Sequence, residues 1–465
     1  MYKEAPADNT KACGQLRLGE IIGALSYALD LTEGQPPGHC LRCCWIGFHM
    51  GRKLGLDDEE LWDLYYTLLL KDAGCSSNAE RLCQLYGNDD RDTKHDFARV
   101  DTDSLEQLAR FVFRHAAPGR GLSKRMRHLL NLMRNGERLA GELVATRCER
   151  GASIALSLGF DPRVADGVRS LDEHWDGHGH PQRLSGQAIP LGSRIALLAQ
   201  VADVFHEVGG ASAARAEVKR RSGSWFDPEL AAVFESVSRS PGFWETLSSP
   251  NLPQFVEKLE PSAHAITVDE DHLDDIALAF AQVVDAKSHF TYGHSERVGD
   301  YAEAISAQLG LDPAKQRWVR RGGLLHDLGK LGVSNAVLDK PGPLDAEEWI
   351  QMKRHPGLSE EILARIGPYQ ELARVAGAHH ERLDGNGYPR GLKGAEISLE
   401  TRIITTADIF DALTADRPYR AAMSLAKTLE IMESERGTAV DSNCLDALIA
   451  CIPHFELARS VASAA

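Results

Sequence analysis

No stretch of about 18 uninterrupted apolar residues occurs in the chain, so nothing in it reads as a membrane-crossing helix. The first residues, MYKEAPADNTKACG, hold no basic cluster leading into an apolar core, which argues against a signal peptide. Positive charge is in deficit: 52 Lys and Arg against 67 Asp and Glu leave a net charge of −15. That excludes a broad surface for a nucleic-acid polymer, and an anionic small molecule would need local cations. Cysteine is not patterned. The nine thiols are scattered and odd in number, and reduced cysteines in a cytoplasmic protein fit them better than a disulfide framework. Alternating strand patterns are also missing, while three- and four-residue apolar spacings recur throughout, so the expected class is all-α.

What the chain does have is length for two or three domains, at 465 residues. Residues 1–18 read as a loose leader. Helical patterning runs from Leu18 to Leu70, weakens over the polar 76–140 region, and returns over 141–208. Cys40, Cys43 and Cys44 lie inside a helical pattern with no second Cys/His pair at zinc spacing, and read as buried thiols. The basic GRGLSKRMRHLLNLMRNGER reads as a solvated amphipathic face. Pro241, Pro250, Pro253 and Pro261, with several Ser, suggest a boundary. The division expected is 1–245, a linker at 246–270, and 271–465.

The second part carries the chemistry. His294, His326, Asp327, His355, His379, His380 and Asp408 follow one another on helix-like segments. One histidine on such a face is usually a core residue, and a buried Asp is costly unless paired or metal-bound. Five His and two Asp on consecutive helices suit two divalent ions of borderline to hard character, such as Mn²⁺, Fe²⁺ or Zn²⁺. Asp327 has two oxygens and could bridge them. Two ions about 3.5–4 Å apart activate water and polarise a phosphoryl group, which implies phosphoester hydrolysis without a covalent enzyme intermediate. Lys330 lies one turn beyond His326, placed to meet a phosphate.

The ordered motifs HSERV, LLHDLGKLGV, VLDKPGPLDAEEW, KRHPG, HHERLDGNGYPRGLKGAEI and ADIFDALTADRPYR carry a resemblance. Residues from about 272 to 460 resemble an HD-GYP phosphodiesterase domain of the HD phosphohydrolase superfamily. The resemblance implies hydrolysis of cyclic di-GMP to pGpG, GMP or both. The rival readings are a hydrolase of another cyclic dinucleotide such as cyclic GMP–AMP, and a non-catalytic cyclic di-GMP receptor. It further implies one metal on His294, His326, Asp327 and Asp408, and a second on Asp327, His355, His379 and His380. Fe or Mn is expected, with Zn, Ni, Co or Mg as further options. Asp327 and Lys330 would be catalytic, and Lys330, Tyr388, Arg417 and Arg420 would face the substrate. Members with a third metal carry Glu four residues before the first His. Phe290 stands there, so two metals are expected.

A repeat completes the picture. GHCLR…KLGLD parallels GHSER…QLGLD at an offset of 255 (294 less 39), and WDGHGHP parallels LDGNGYP at 208 (383 less 175), leaving about 47 extra residues in the first copy. The aligned ligand positions read His39, Lys71, Asp72, Arg147, Leu171, Asp172 and Gln200, with Cys75 at the place of Lys330. A Lys in place of a metal-binding His repels a cation. The first half is therefore expected to be a degenerate HD domain without metal. Its His174, His178 and His180 read as solvated loop residues. Homodimerisation, and signalling partners through the GYP loop or first half, are compatible with this organisation.

Overall fold

A computed structural model of the chain describes residues 16–86, 89–101, 104–115, 122–262, 266–418 and 420–462. The side chains of 105, 122–134, 137 and 456–462 fall outside the description. Most of the proposed leader and most of the basic stretch's side chains therefore lie outside the described residues. Among those described there is no β-strand, only isolated bridges, so the class is all-α. Among the described residues no helix is long and apolar enough to cross a membrane.

The chain divides into two compact units, Met1–Asp275 and Ile276–Ala465. The first holds α1 (Leu18–Thr32), α2 (His39–Leu54), α3 (Asp58–Leu70), α4 (Ala79–Tyr86), α5 (Asp90–Phe97), α6 (Leu105–His115), α7 (Leu122–Ser157), α8 (Pro162–Arg169), α9 (Leu191–Arg220), α10 (Pro228–Val237), α11 (Phe243–Leu247) and α12 (Leu252–Glu257). The division falls inside α13 (Glu270–Asp285). The second unit continues with α14 (His294–Gln308), α15 (Pro313–Leu325), α16 (Asn335–Leu338), α17 (Ala346–Met352), α18 (His355–Leu363), α19 (Gln370–Ala376), α20 (Leu399–Thr414), α21 (Leu425–Ser434) and α22 (Ser442–Ala462).

The stretch read as a linker is folded. Phe243 and Leu247 of α11 and Leu252 and Val256 of α12 are buried. Val268 donates its N–H to Leu16, and Leu18 to Ile266. Glu260 accepts from the Tyr66 hydroxyl at 2.6 Å. Pro253 sits in the first turn of α12, where its missing N–H costs nothing. Pro253 opens α12, and Pro241 and Pro250 lie in the turns that precede α11 and α12.

Local rules repeat in both units. Gly38 and Gly293 precede α2 and α14 with φ of 89° and 66°, a left-handed conformation that favours glycine. Asp57 and Asp312 then cap α3 and α15 through side-chain oxygens. In the second unit, Val298, Tyr301 and Ile305 of α14 pack with Ile403, Ile404, Ala407 and Phe410 of α20 and with Leu445 and Leu448 of α22. Each large side chain so buried contributes roughly 1.5–3 kcal/mol. A Cβ on Gly323 would stand 2.8 Å from the Gly299 Cα. That close crossing of α14 and α15 fixes where α15 ends, and its end carries His326 and Asp327.

Candidate metal centre

The second unit brings all seven predicted ligands together. His294, His326, Asp327, His355, His379 and Asp408 are buried, and His380 is half-buried. Three histidines are oriented by one device. His326 Nδ1 donates to Gly323 O at 2.7 Å, His355 to Met352 O at 2.7 Å, and His379 to Ala376 O at 2.6 Å. Each ring closes a hydrogen bond to a carbonyl three residues back, where a helix end leaves carbonyls unpaired. With the proton on Nδ1, Nε2 keeps its lone pair and turns inward.

His294 is held differently. Its Nδ1 donates to Asp411 Oδ2 at 2.7 Å, and Asp411 also accepts from Arg297 Nε at 2.6 Å and Nη2 at 3.0 Å. Ser295, next along α14, donates to Asp285 through its N–H at 3.0 Å and its hydroxyl at 2.7 Å.

Asp327 lies at the centre. Its Oδ2 is 3.3 Å from His294 Nε2 and 3.2 Å from His326 Nε2. Its Oδ1 is 3.4 Å from His355 Nε2 and 3.6 Å from His379 Nε2. One carboxylate thus faces two pairs of imidazoles with its two oxygens. Asp408 Oδ1 stands 3.4 Å from His294 Nε2 and 4.0 Å from His326 Nε2. The ligating atoms of His355, His379 and His380 lie within 4.8 Å of one another.

Three buried polar atoms at the centre have no hydrogen-bond partner: His294 Nε2, His326 Nε2 and Asp327 Oδ1. Orphaned buried acceptors are costly, and a cation satisfies acceptors together. The protonation of His355, His379, His380 and the two carboxylates agrees, while His294 is drawn toward its cationic form by the carboxylates around it. Burial pushes His355 down to about 3 and His379 to about 4, and drives His380 well below the usual imidazole range. Burial would raise Asp327, but His326 and Lys330 outweigh it and hold the carboxyl well below its ordinary range. Asp408 is lowered likewise against burial, chiefly by His294 and His326. Burial would lower His294, but the carboxylates of Asp327, Asp411 and Asp408 hold it up at about 9. Ionised carboxylates among imidazoles form a donor set that fits divalent cations.

The other predicted residues divide. Lys330 donates to Asp327 Oδ2 from the short turn Leu328–Gly332. Tyr388 sits 4.8 Å from the His380 ring, in a loop pinned by Glu381, which accepts from Arg390 N at 2.6 Å and Leu392 N at 2.9 Å. Arg420 is engaged elsewhere. Its guanidinium donates to Ala412 O, Leu413 O and Ala421 O at 2.7, 3.1 and 2.9 Å, capping α20. Arg417 and Arg420 both line a cleft of about 960 Å³ with Tyr292, Arg297 and Asp411, and none of the seven candidate ligands lines it. Reading by ligand type missed Asp411 and Arg297. Their spacing, three residues after Asp408 and His294, was the available signal.

The first unit repeats the frame. His39 Nδ1 donates to Asp203 Oδ2 at 2.7 Å, and Arg42 Nε reaches Asp203 Oδ1 at 2.7 Å. A Cβ on Gly74 would stand 1.8 Å from Arg147 O, as one on Gly329 would stand 2.0 Å from His355 O. Arg147 therefore occupies the place of His355. Cys40, Cys43 and Cys44 are buried free thiols. His174 stacks on Trp225 at 4.0 Å, and His178 lies 3.2 Å from Asp176.

Comparison with known proteins agrees with this duplication. The HD-domain family profile matches residues 116–230 and 279–444. The chain is 51% identical over 431 residues to the 3′3′-cGAMP-specific phosphodiesterase 3 of Vibrio cholerae serotype O1, covering 93% of this chain and 94% of that one. It is 39% identical over 171 residues to the cyclic di-GMP phosphodiesterase response regulator RpfG of Xanthomonas campestris pv. campestris, covering 36% of this chain and 45% of that one. A crystal structure of a V. cholerae cyclic GMP-AMP-specific phosphodiesterase superposes with a TM-score of 0.65 at 47% identity, over 94% of this chain and 98% of that one. The duplicated helical frame, the ring of histidines around Asp327 and these matches make the chain a member of the HD-domain family, in its HD-GYP branch.

Proposed function

We propose that the second unit hydrolyses a cyclic dinucleotide, with 3′3′-cyclic GMP–AMP as the preferred substrate. The carrying observation for the chemistry is Asp327. Its two oxygens face separate imidazole pairs, and orphaned acceptors surround it. The residues would hold one ion on His294, His326, Asp327 and Asp408 and another on Asp327, His355, His379 and His380. When bound, two divalent ions supply Lewis acidity toward a phosphoryl oxygen and a nucleophile drawn from water. The imidazole-rich set favours Fe or Mn over Mg.

The protein's own groups do the rest. Lys330 leaves Asp327 to pair with the scissile phosphate, adding a charge-assisted hydrogen bond as negative charge grows there. Tyr388, beside His380, offers a ring face to a nucleobase. Asp411 keeps His294 Nε2 aimed inward.

The preference for cyclic GMP–AMP over cyclic di-GMP revises the sequence expectation. The 3′3′-cGAMP-specific phosphodiesterase 3 matches 93% of the chain at 51% identity, and the cyclic di-GMP phosphodiesterase RpfG 36% at 39% identity. Wild-type protein, reduced and loaded with Mn²⁺ or Fe²⁺, should be given 3′3′-cyclic GMP–AMP, cyclic di-GMP and cyclic di-AMP, with products resolved by chromatography. Cyclic GMP–AMP should turn over fastest, and Asp327→Ala should abolish turnover. No turnover of any cyclic dinucleotide would refute the enzymatic reading. Faster turnover of cyclic di-GMP would refute the preference.

A further inference from the structure

In the first unit the place of the metal centre is filled by side chains. Lys71 stands where the second unit has His326. Its Nζ lies 3.0 Å from His39 Nε2 and 2.9 Å from Gln200 Oε1, and it donates to Asp72 Oδ2. His39 Nδ1 donates to Asp203, which fixes the ring with Nε2 turned toward the ammonium. In the second unit the corresponding atoms are His294 Nε2, Asp327 Oδ2 and an oxygen of Asp408, with Gln200 at the place of Asp408.

The other half is filled as well. Arg147, at the position of His355, donates to Asp172 Oδ2 through Nε at 2.9 Å and through Nη2. Its Nη1 lies 3.9 Å from Glu33 Oε2 and 3.8 Å from Cys75 Sγ. Asp172 stands at the position of His380.

We propose that the first unit carries its own resident cations: the Lys71 ammonium and the Arg147 guanidinium occupy the two ion positions of the ancestral centre and hold its ring of acceptors together without metal. Two carboxylates, Asp72 and Asp172, meet two monocations, so the site is balanced as built. In the second unit His326 and His355 stand at the positions of Lys71 and Arg147, and the ammonium on Asp327 Oδ2 is that of Lys330, from the turn beyond it.

Two other donor groupings among the described residues of the first unit are already engaged. Glu33, Asp72 and Cys75 come close enough to share an ion. Glu33 already pairs with Lys94 at 3.1 Å, and burial raises the Cys75 thiol well above its usual range. His39 and Asp203 of a second grouping are joined to each other and to Arg42. Burial would lower Lys71, but Asp72 outweighs it and keeps the amine charged.

The inference rests on reading the second unit as a metal centre, and the test separates the two. Full-length Asp327→Ala, which lacks the second unit's bridging ligand, should retain no stoichiometric divalent ion on elemental analysis. The stability of α2 and α3, followed by hydrogen exchange on heating, should not change with EDTA. Adding Lys71→Met should lower the temperature at which α2 and α3 open by about 10 °C, because a buried carboxylate loses its partner. Lys71→Ala should show the same loss, partly restored by millimolar methylammonium entering the vacated space. An unchanged opening temperature in Lys71→Met would overturn the proposal. So would an ion kept by Asp327→Ala and lost on adding His39→Ala, a measurement that stands even if the Lys71 variants do not fold. If wild type itself binds no ion, the metal-centre reading fails, while the Lys71→Met result still decides whether the ammonium holds the first ring.

Discussion

Asp411→Asn tests whether the carboxylate behind His294 sets its metal-binding nitrogen. Asp411 is buried and accepts three N–H groups, from His294 Nδ1 and from Arg297 Nε and Nη2. Asparagine has the same size but only one acceptor oxygen. If that oxygen keeps Arg297, the amide N–H₂ faces His294 and drives the ring to the other tautomer. Nε2 then carries hydrogen and points it at Asp327 and Asp408. Loss of a partner that orients a ligand typically costs 10–100-fold in metal affinity, or about 1.4–2.8 kcal/mol. The assay is metal titration against a chelating dye at neutral pH, with turnover at saturating metal as a second readout. Affinity should fall by about that factor, while saturating metal recovers most of the rate. Asp203→Asn is the control, because it breaks the same triad with His39 and Arg42 in the first unit. It should lower stability and leave metal affinity unchanged. Unchanged affinity in Asp411→Asn, or an equal fall in Asp203→Asn, would refute the reasoning.

Lys330→Met should keep both ions by elemental analysis and lower kcat by about 10²–10³-fold, the usual cost of one preorganised donor to a developing anion; a rate within threefold of wild type would remove Lys330 from the chemistry. Gly329→Ala would put a Cβ 2.0 Å from His355 O and 2.7 Å from Ser359 N, both backbone atoms, so calorimetry should show a lower Tm, and metal analysis a loss of ions as α18 is pushed away. Asp72 sets a pH test. Burial would raise its carboxyl, but Lys71, His39 and Arg147 lower it from 3.8 to about 2. Its contribution to wild-type stability is therefore complete above about pH 3.8 and lost as pH falls toward 2. In Lys71→Met burial prevails and the carboxyl rises, so the variant's deficit against wild type in thermal unfolding should be largest at neutral pH and narrow toward pH 4.

What the sequence disclosed follows from what a sequence can encode locally. The seven candidate ligands were legible because the five histidines and Asp327 stand at or just past helix ends, and Asp408 is an acid in an otherwise apolar stretch of α20. The all-α class was legible from periodicity, and the duplication from two constant offsets. Asp411 and Asp203 were not seen, since the histidine each orients lies 117 or 164 positions away and only the spacing of Asp411 from Asp408 hinted at it. The 240–270 stretch, read as a linker, holds two short helices, because a proline opening a short helix and a proline in a tether look alike in one dimension. Arg420 matched a ligand-binding pattern, and its bonds to the carbonyls of Ala412 and Leu413 at the end of α20 were not legible in it. Lys71 and Arg147 were legible as a lost metal site. That their charges settle where ions would otherwise sit needed coordinates.

The hydrogen bonds from His326, His355 and His379 to carbonyls three residues back have a consequence for engineering. Donor and acceptor belong to one turn, so the outward nitrogen is chosen by the geometry of a helix end, independently of any distant partner. A histidine grafted at the equivalent place on another helical scaffold would arrive with its tautomer already selected. Two or three such grafts converging on one carboxylate would make a chelating cluster whose orientation needs no designed supporting network.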